Sequence, residues 1–175
     1  LITGASGFLG SHLMHQLPAR NAIGIVHQNL PYDPPYFYHR IDLTDPAKLA
    51  SIFSDYDFDF IIHTAANSQP DWCELHQDLA HEINVTVPAA LAEHCHRCDI
   101  GFVFLSSDMV FDGKKGNYVE EDETNPLSHY GRCKVEAESR VLAALPDVLI
   151  IRTALIYGVP IADGRGTSFM QWILG

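Results

Sequence analysis

The 175-residue chain is poor in basic residues, with 11 Lys and Arg against 22 Asp and Glu and a formal net charge of −11. A nucleic-acid binder needs a basic face for the phosphate backbone, so no nucleic-acid partner is expected. The deficit leaves a phosphate-bearing ligand open, because helix N-termini and backbone amides hold phosphate without basic side chains. Cysteine is scarce: Cys73, Cys95, Cys98 and Cys133 are too few for a disulfide scaffold. Cys95 and Cys98 make a C-x-x-C, but no second cysteine pair stands at metal-site distance. The segment 94–98 therefore reads as the polar end of a helix, and no metal is expected. His63, His76 and His81 are scattered and read as structural or solvent-facing. Reduced thiols fit a cytoplasmic protein. No apolar run is long enough to span a bilayer, so no membrane partner is expected. Internal repeats and low-complexity segments are lacking. So is an initial Met: the chain opens inside a strand at Leu1-Ile2-Thr3 and ends in an apolar helical pattern at 170–175, and is expected to be a piece of something longer.

Apolar residues are plentiful. At 47% hydrophobic and 19% charged, the chain can bury a sizeable core and suits one domain. Short apolar runs alternate with amphipathic stretches. Strands are expected at 1–3, 22–26, ending at 41–43, 58–63, 100–105 and 148–151. Helices are expected at 8–17 (stopped by Pro18), from Asp45-Pro46, at 78–98 with Pro88 as a kink, and at 128–145. The Pro-rich 30–36 reads as a loop. Apolar strands alternating with helices predict an α/β fold, a Rossmann-like doubly wound parallel sheet. Ligands of such sheets lie beyond the carboxyl ends of the strands, so the residues just after each strand are the candidates.

Thr3-Gly4-Ala5-Ser6-Gly7-Phe8-Leu9-Gly10 follows a strand and opens a helix. Glycines there allow a tight turn and close approach of backbone to a pyrophosphate seated on the helix N-terminus. The spacing is G-x-x-G-x-x-G. After the second strand stands His27-Gln28-Asn29, with no acid to bond a ribose 2′-hydroxyl, which favours NADP(H) over NAD(H). Asp42 and Leu43 suit the adenine amino group, with a strand-end turn or helix cap as the equal alternative for Asp42. Thr64, Ala65 and Ala66 follow the fourth strand. Tyr130 and Lys134, four apart, share one helix face. A neighbouring ammonium favours phenolate, so Lys134 is expected to lower the Tyr130 pKa from about 10 towards working pH. Such a Tyr protonates a carbonyl oxygen as hydride arrives at carbon. Ser106-Ser107-Asp108 follows the fifth strand, and Ser107 is the hydroxyl expected to reach the same carbonyl. Asp108 is expected to hold loop backbone.

Glycine loop, post-strand Ser and Tyr-x-x-x-Lys, in this order, resemble the extended short-chain dehydrogenase/reductases. Within that family the chain is similar to the dTDP-4-dehydrorhamnose reductase, sugar-nucleotide-binding branch. The residues that carry the likeness are 106–113 with its Val110-Phe111-Asp112-Gly113, then Tyr118 to Asp122, Pro126 to Lys134, and Arg152 to Gly158. The resemblance implies an NAD(P)-dependent reductase of a nucleotide-linked 4-keto sugar. It implies Ser107 for carbonyl orientation, Tyr130 as proton donor, and Lys134 for Tyr activation and nicotinamide-ribose binding. Gly4, Ser6, Gly7, Phe8, Leu9 and Gly10 would then meet the pyrophosphate, and Ile156 would lie beside the nicotinamide. Asn84 matches the family's helix Asn, which supports the active-site helix or a proton relay; a packing Asn is the equal alternative. Met109 and Leu155 replace the Tyr and Trp usual in the branch, both on the sugar side. Residues 1–152 are expected to bind the dinucleotide and 153–175 to begin a substrate-binding region. The partner implied is a nucleotide sugar, with a homodimer admitted. The alternatives are a nucleotide-sugar epimerase or dehydratase, and a non-catalytic NADP-binding regulatory subunit similar to the methionine adenosyltransferase β-subunit.

Overall fold

The structure, a computed structural model, describes residues 1–28, 35–159 and 161. Asn29, most of the expected loop 30–36, Pro160 and 162–175 lie outside the described residues. Two compact units emerge, Leu1–Ala65 with the described part of Leu155–Gly175, and Ala66–Ala154.

The first unit holds β1 (Ile2–Thr3), α1 (Phe8–Gln16), β2 (Ile23–Val26), β3 (Phe37–Arg40), α2 (Pro46–Asp55) and β4 (Phe60–His63). Its strands lie in the order β3-β2-β1-β4, each pairing parallel. β1 crosses through α1 to β2 on one side, while β4 flanks it on the other. The order therefore reverses at β1, and the carboxyl ends of β1 and β4 border the crevice where doubly wound sheets bind ligands. Ile2, Ala5, Met14, Ala22 and Val26 form the core of this unit. α2 begins as the sequence predicts: the Asp45 carboxylate accepts from the Ala47 and Lys48 amides (3.1 and 3.3 Å), with Pro46 in the first turn. β3 ends at Arg40 rather than at 41–43, because Asp42 folds back on Thr44 in a turn.

The second unit comprises α3 (Pro70–Leu75), α4 (Gln77–His81), a π-helical turn (Glu82–Thr86), α5 (Val87–Cys98), β5 (Gly101–Ser107), a 3₁₀ turn (Asp108–Val110), α6 (His129–Ala144) and β6 (Leu149–Thr153). β5 and β6 pair in parallel, Ser107 opposite Thr153. The helix expected at 78–98 is present and runs without a break from Gln77 to Cys98, with a π turn inside it. Pro88, which lacks an N–H, follows the π turn closely, and the wider turn is where the ladder changes register. α3 was not foreseen; it is a six-residue helix opened by Pro70. Cys95 is buried and Cys98 exposed, with its Sγ 3.5 Å from His94 Nε2. Among the described residues no three metal-ligating side chains gather, and no helix is long and apolar enough to cross a membrane.

α1 is seated tightly on the end of β1. A Cβ on Gly10 would overlap the Gly4 carbonyl and come within 2.8 Å of Ala5 Cα. Both are backbone atoms with no room to move. Gly10→Ala is therefore expected to cost about 1–3 kcal/mol of stability, read as a lower midpoint in urea unfolding.

Candidate active site

In the first unit, β1 runs into Gly4 with φ +67°, a left-handed conformation that glycine adopts without strain. A Cβ at Gly4 would also lie 2.7 Å from the Ala65 amide nitrogen. The Ala5 N–H donates to Ile25 O (3.0 Å) and the Gly7 N–H to Gly4 O (2.9 Å), which closes the turn. Gly7 caps α1 without a side chain, so the first-turn amides of Phe8, Leu9 and Gly10 face outward with no side-chain acceptor. Backbone cradled by glycine, at an open helix start, fits a diphosphate. Ser6 is half-buried beside it. The Phe8 ring packs tilted against that of His12 (4.5 Å, 48°) and lies against Gly158, while His12 Nε2 is 3.1 Å from Val159 O. This keeps the segment of Ile156 against α1. Thr3, fully buried, ties the end of β4: its carbonyl accepts from the Thr64 hydroxyl (2.7 Å) and its hydroxyl from the Ala65 amide (3.3 Å). Ala66 is half-buried.

His27 and Gln28 are exposed at the end of β2, as a ribose-reading tip requires. The tip itself carries no acid, but the fold brings one: Asp42 Oδ2 lies 3.7 Å from His27 Nε2. Asp42 Oδ1 accepts from the Thr44 hydroxyl (2.7 Å) and amide (3.0 Å), and these bonds hold its carboxyl below the usual range. The strand-end turn is thus realised, and Oδ2 stays open to a further donor. Leu43 is half-buried.

In the second unit, β5 delivers Ser107 and α6 delivers Tyr130 and Lys134. Ser128 caps α6 by accepting from the Gly131 amide (3.1 Å). Gly131 allows the turn after β5 to press on the helix, since a Cβ there would collide with the Met109 carbonyl and lie 2.9 Å from Pro126 Cβ. Ser107 Oγ donates to Asp108 Oδ1 and accepts from the Met109 amide, both at 3.2 Å. Asp108 thereby orders the loop. Lys134 Nζ donates to Leu105 O (2.8 Å), 4.8 Å from the centre of the Phe104 ring and 5.8 Å from that of Tyr130.

The electrostatics correct one expectation. Burial pushes the Tyr130 hydroxyl up to about 12, with Ser107 pulling it down and Cys73 and Asp108 pushing it up. Desolvation is the largest of these influences, so the Tyr130 phenol is held towards its protonated form and not drawn towards neutrality. Lys134 is itself pushed down to about 8 by burial, against Glu138, Cys133 and Cys73. A phenol that keeps its proton is suited to donating it.

Three features take their geometry from the fold. Asn84, at the π turn, clamps Asn67: its Oδ1 accepts from the Asn67 amide (2.9 Å) and its Nδ2 donates to the Asn67 carbonyl (3.0 Å). Both ends of its amide are spent on the loop after β4, which favours support over a proton relay. Cys73 donates to the same carbonyl (3.5 Å) and packs with Ala80 and Tyr130. In the Val110-Phe111-Asp112-Gly113 block, Val110 is buried and the other three wall a cavity of about 580 Å³, which Met109 and Leu127 also line. Phe111 stacks on Tyr118 (4.3 Å, 11°), and the Asp112 carboxylate accepts from the Tyr118 hydroxyl (2.6 Å), the Lys114 amide (3.0 Å) and Asn125 Nδ2 (3.0 Å). Leu155 is 64% exposed in the first unit.

The RmlD substrate binding domain profile matches residues 1–174 of the chain. The chain is 35% identical, over 98% of its length and 58% of the relative's, to the "Probable low-salt glycan biosynthesis reductase Agl14" of Haloferax volcanii. It is 34% identical to methionine adenosyltransferase 2 subunit beta of Bos taurus, over 90% of its own length and 47% of the relative's. The chain therefore spans about half the length of these curated relatives. The crystal structure of dTDP-4-dehydrorhamnose reductase from Bacillus anthracis in complex with NADP superposes with a TM-score of 0.81 at 26% identity, over 99% of this chain and 57% of that one. The Rossmann-like fold expected from the sequence is thereby shown.

The buried ammonium gives stability a pH signature. Between about 8 and 10.5 the unfolded chain keeps the Lys134 proton that the folded chain has shed, so this group's contribution to stability rises with pH across that window. Lys134→Met, which has no charge to desolvate, is expected to exceed the parent in stability most below pH 8, and the gap should narrow towards pH 10.5. Thermal melts of both proteins over that range check it; a gap that is constant with pH would contradict it.

Proposed function

The chain belongs to the RmlD substrate-binding domain family, and on that premise we propose that it serves an oxidoreductase that reduces a nucleotide-linked 4-keto sugar, with Tyr130 as the proton donor. The observation that carries this reading is the meeting of Ser107 and a proton-bearing Tyr130 beside a buried Lys134, at the carboxyl end of β5. A nicotinamide dinucleotide, when bound, supplies the hydride. Gly4, Ser6, Gly7, Phe8, Leu9 and Gly10 hold its diphosphate on the α1 N-terminus. Asp42 and Leu43 meet adenine, His27 and Gln28 the ribose, and Thr64, Ala65, Ala66 and Ile156 flank the remainder. Lys134 donates to the nicotinamide ribose. Ser107 orients the substrate carbonyl, and Tyr130 delivers its proton to the oxygen as that oxygen gains charge. We assign residues 1–152 to the dinucleotide and 153–175 to the start of the substrate region.

NADP(H) is the cofactor we favour over NAD(H). The solved relative from Bacillus anthracis is in complex with NADP, and the strand tip at 27–28 carries no acid. The Asp42 carboxylate, which would oppose a 2′-phosphate, is half engaged by Thr44 and faces His27.

Full-length protein is expected to oxidise NADPH when offered a panel of keto sugar nucleotides. Tyr130→Phe should bind NADPH nearly as the parent does, yet turn over about a hundredfold slower or worse. Cofactor binding without turnover in the parent would sink the reductase reading and leave a binding role, such as that of a regulatory subunit.

A further inference from the structure

Lys134 is a cation held almost wholly out of water, 3% exposed, and its position beside Tyr130 matters only while it keeps its charge. Its one hydrogen bond within the described residues goes to a neutral carbonyl, Leu105 O. The rings of Tyr130 from α6 and Phe104 from β5 lie beside it, and Cys133 of α6 and Cys73 of α3 are near enough to act on its charge. Burial pushes both thiols upward, Cys133 to about 11, so they stay neutral at ordinary pH. Ser107, Asp108 and Cys73 are the further groups that act on Tyr130. The charged group that favours the ammonium is Glu138, one helical turn beyond Lys134 on the same buried face and only 8% exposed.

The Glu138 carboxylate is paired across elements. Arg152 of β6 grips it in a fork, with Nε at 3.0 and 3.3 Å from the two oxygens and Nη2 at 2.7 Å from Oε2. The third arm, Nη1, donates to Glu120 O (3.1 Å), and the guanidinium lies 5.1 Å from the centre of the Phe111 ring in the cavity wall. A carboxylate buried at this depth is costly unless paired, and Arg152 pairs it in a geometry that a Lys could not match.

We propose that Glu138 and Arg152 form a positioning pair, in which Arg152 fixes a buried carboxylate one turn from Lys134 so that Lys134 remains an ammonium beside Tyr130. This rests on the reading of Tyr130 and Lys134 as the proton-handling pair. Neither Glu138 nor Arg152 touches the reacting atoms. The same fork ties β6 and the cavity wall to the helix face that carries Tyr130.

A purely structural ion pair would change stability at every pH alike, whereas a positioning pair moves the pH at which Lys134 titrates. The test therefore compares the parent with Lys134→Met, and Glu138→Gln with the Glu138→Gln/Lys134→Met double variant, by thermal melts across pH. In the Glu138→Gln background the gap is expected to begin closing about one pH unit lower, since the ammonium has lost its carboxylate and Arg152 is left unpaired nearby. Glu138→Asp should restore the parent's profile to within a few tenths of a unit. Should Glu138→Gln fail to fold, Glu138→Gln/Arg152→Gln, which strands no cation, takes its place, with a smaller shift in the same direction. Superimposable profiles in all backgrounds, or a loss of fold in both variants, would overturn the proposal and confine the pair to holding β6 on α6. Because melts need no cofactor, a parent that binds no NADPH would defeat the functional reading while this result stood on its own.

Discussion

Desolvation of one turn of α6 is the constraint on which the site depends. Taking Tyr130 and Lys134 out of water raises one pKa and lowers the other, so each group is driven towards its neutral, fully protonated or deprotonated form. The surrounding structure answers that pressure. A backbone carbonyl receives the ammonium, Ser107 offers its hydroxyl towards the phenol, and a paired carboxylate lies one turn away. The resulting balance gives a phenol that holds its proton until a stronger base, such as a carbonyl oxygen acquiring charge, draws it off.

The first unit solves a different problem, that of bringing backbone amides close to a charged ligand. It does so by omission: no side chain at Gly4, Gly7 or Gly10 stands between the α1 N-terminus and the crevice at β1. The same glycines let α1 sit directly on the strand end, so the requirement for close helix–strand packing and the requirement for an open anion site are met by one run of residues.

Much of this was legible beforehand because it is local. The glycine loop, the Asp45-Pro46 cap and the four-residue spacing of Tyr130 and Lys134 are all written in contiguous stretches, and strand–helix alternation is enough to name the fold class. What the sequence concealed depends on distance in the chain. Asp42 reaches His27 from a neighbouring strand, Asn84 clamps a loop 17 residues earlier, and Arg152 meets Glu138 from β6. The phenol was misjudged for a related reason: pairwise spacing reveals a neighbouring charge, but only the packed core reveals how much water is missing. The helix expected at 78–98 is there, but its π turn was hidden, since such a turn leaves no hydrophobic-period signal of its own.

The knot at Asp112 has a consequence for how this region can change over time. Its carboxylate gathers Tyr118, Lys114 and Asn125, and the rings of Phe111 and Tyr118 close over it, so the wall is braced at its base. The tip beyond, with Gly116 and Asn117 at positive φ, is exposed, and it is tied back by the Lys114 amide on Asp112 and by Lys115, whose amide donates to the Tyr118 hydroxyl and whose ammonium pairs with Asp122. A change of length here would have to keep the ties of Lys114 and Lys115, whereas the exposed side chains between them can be recoloured, a variable fringe mounted on a stiff frame.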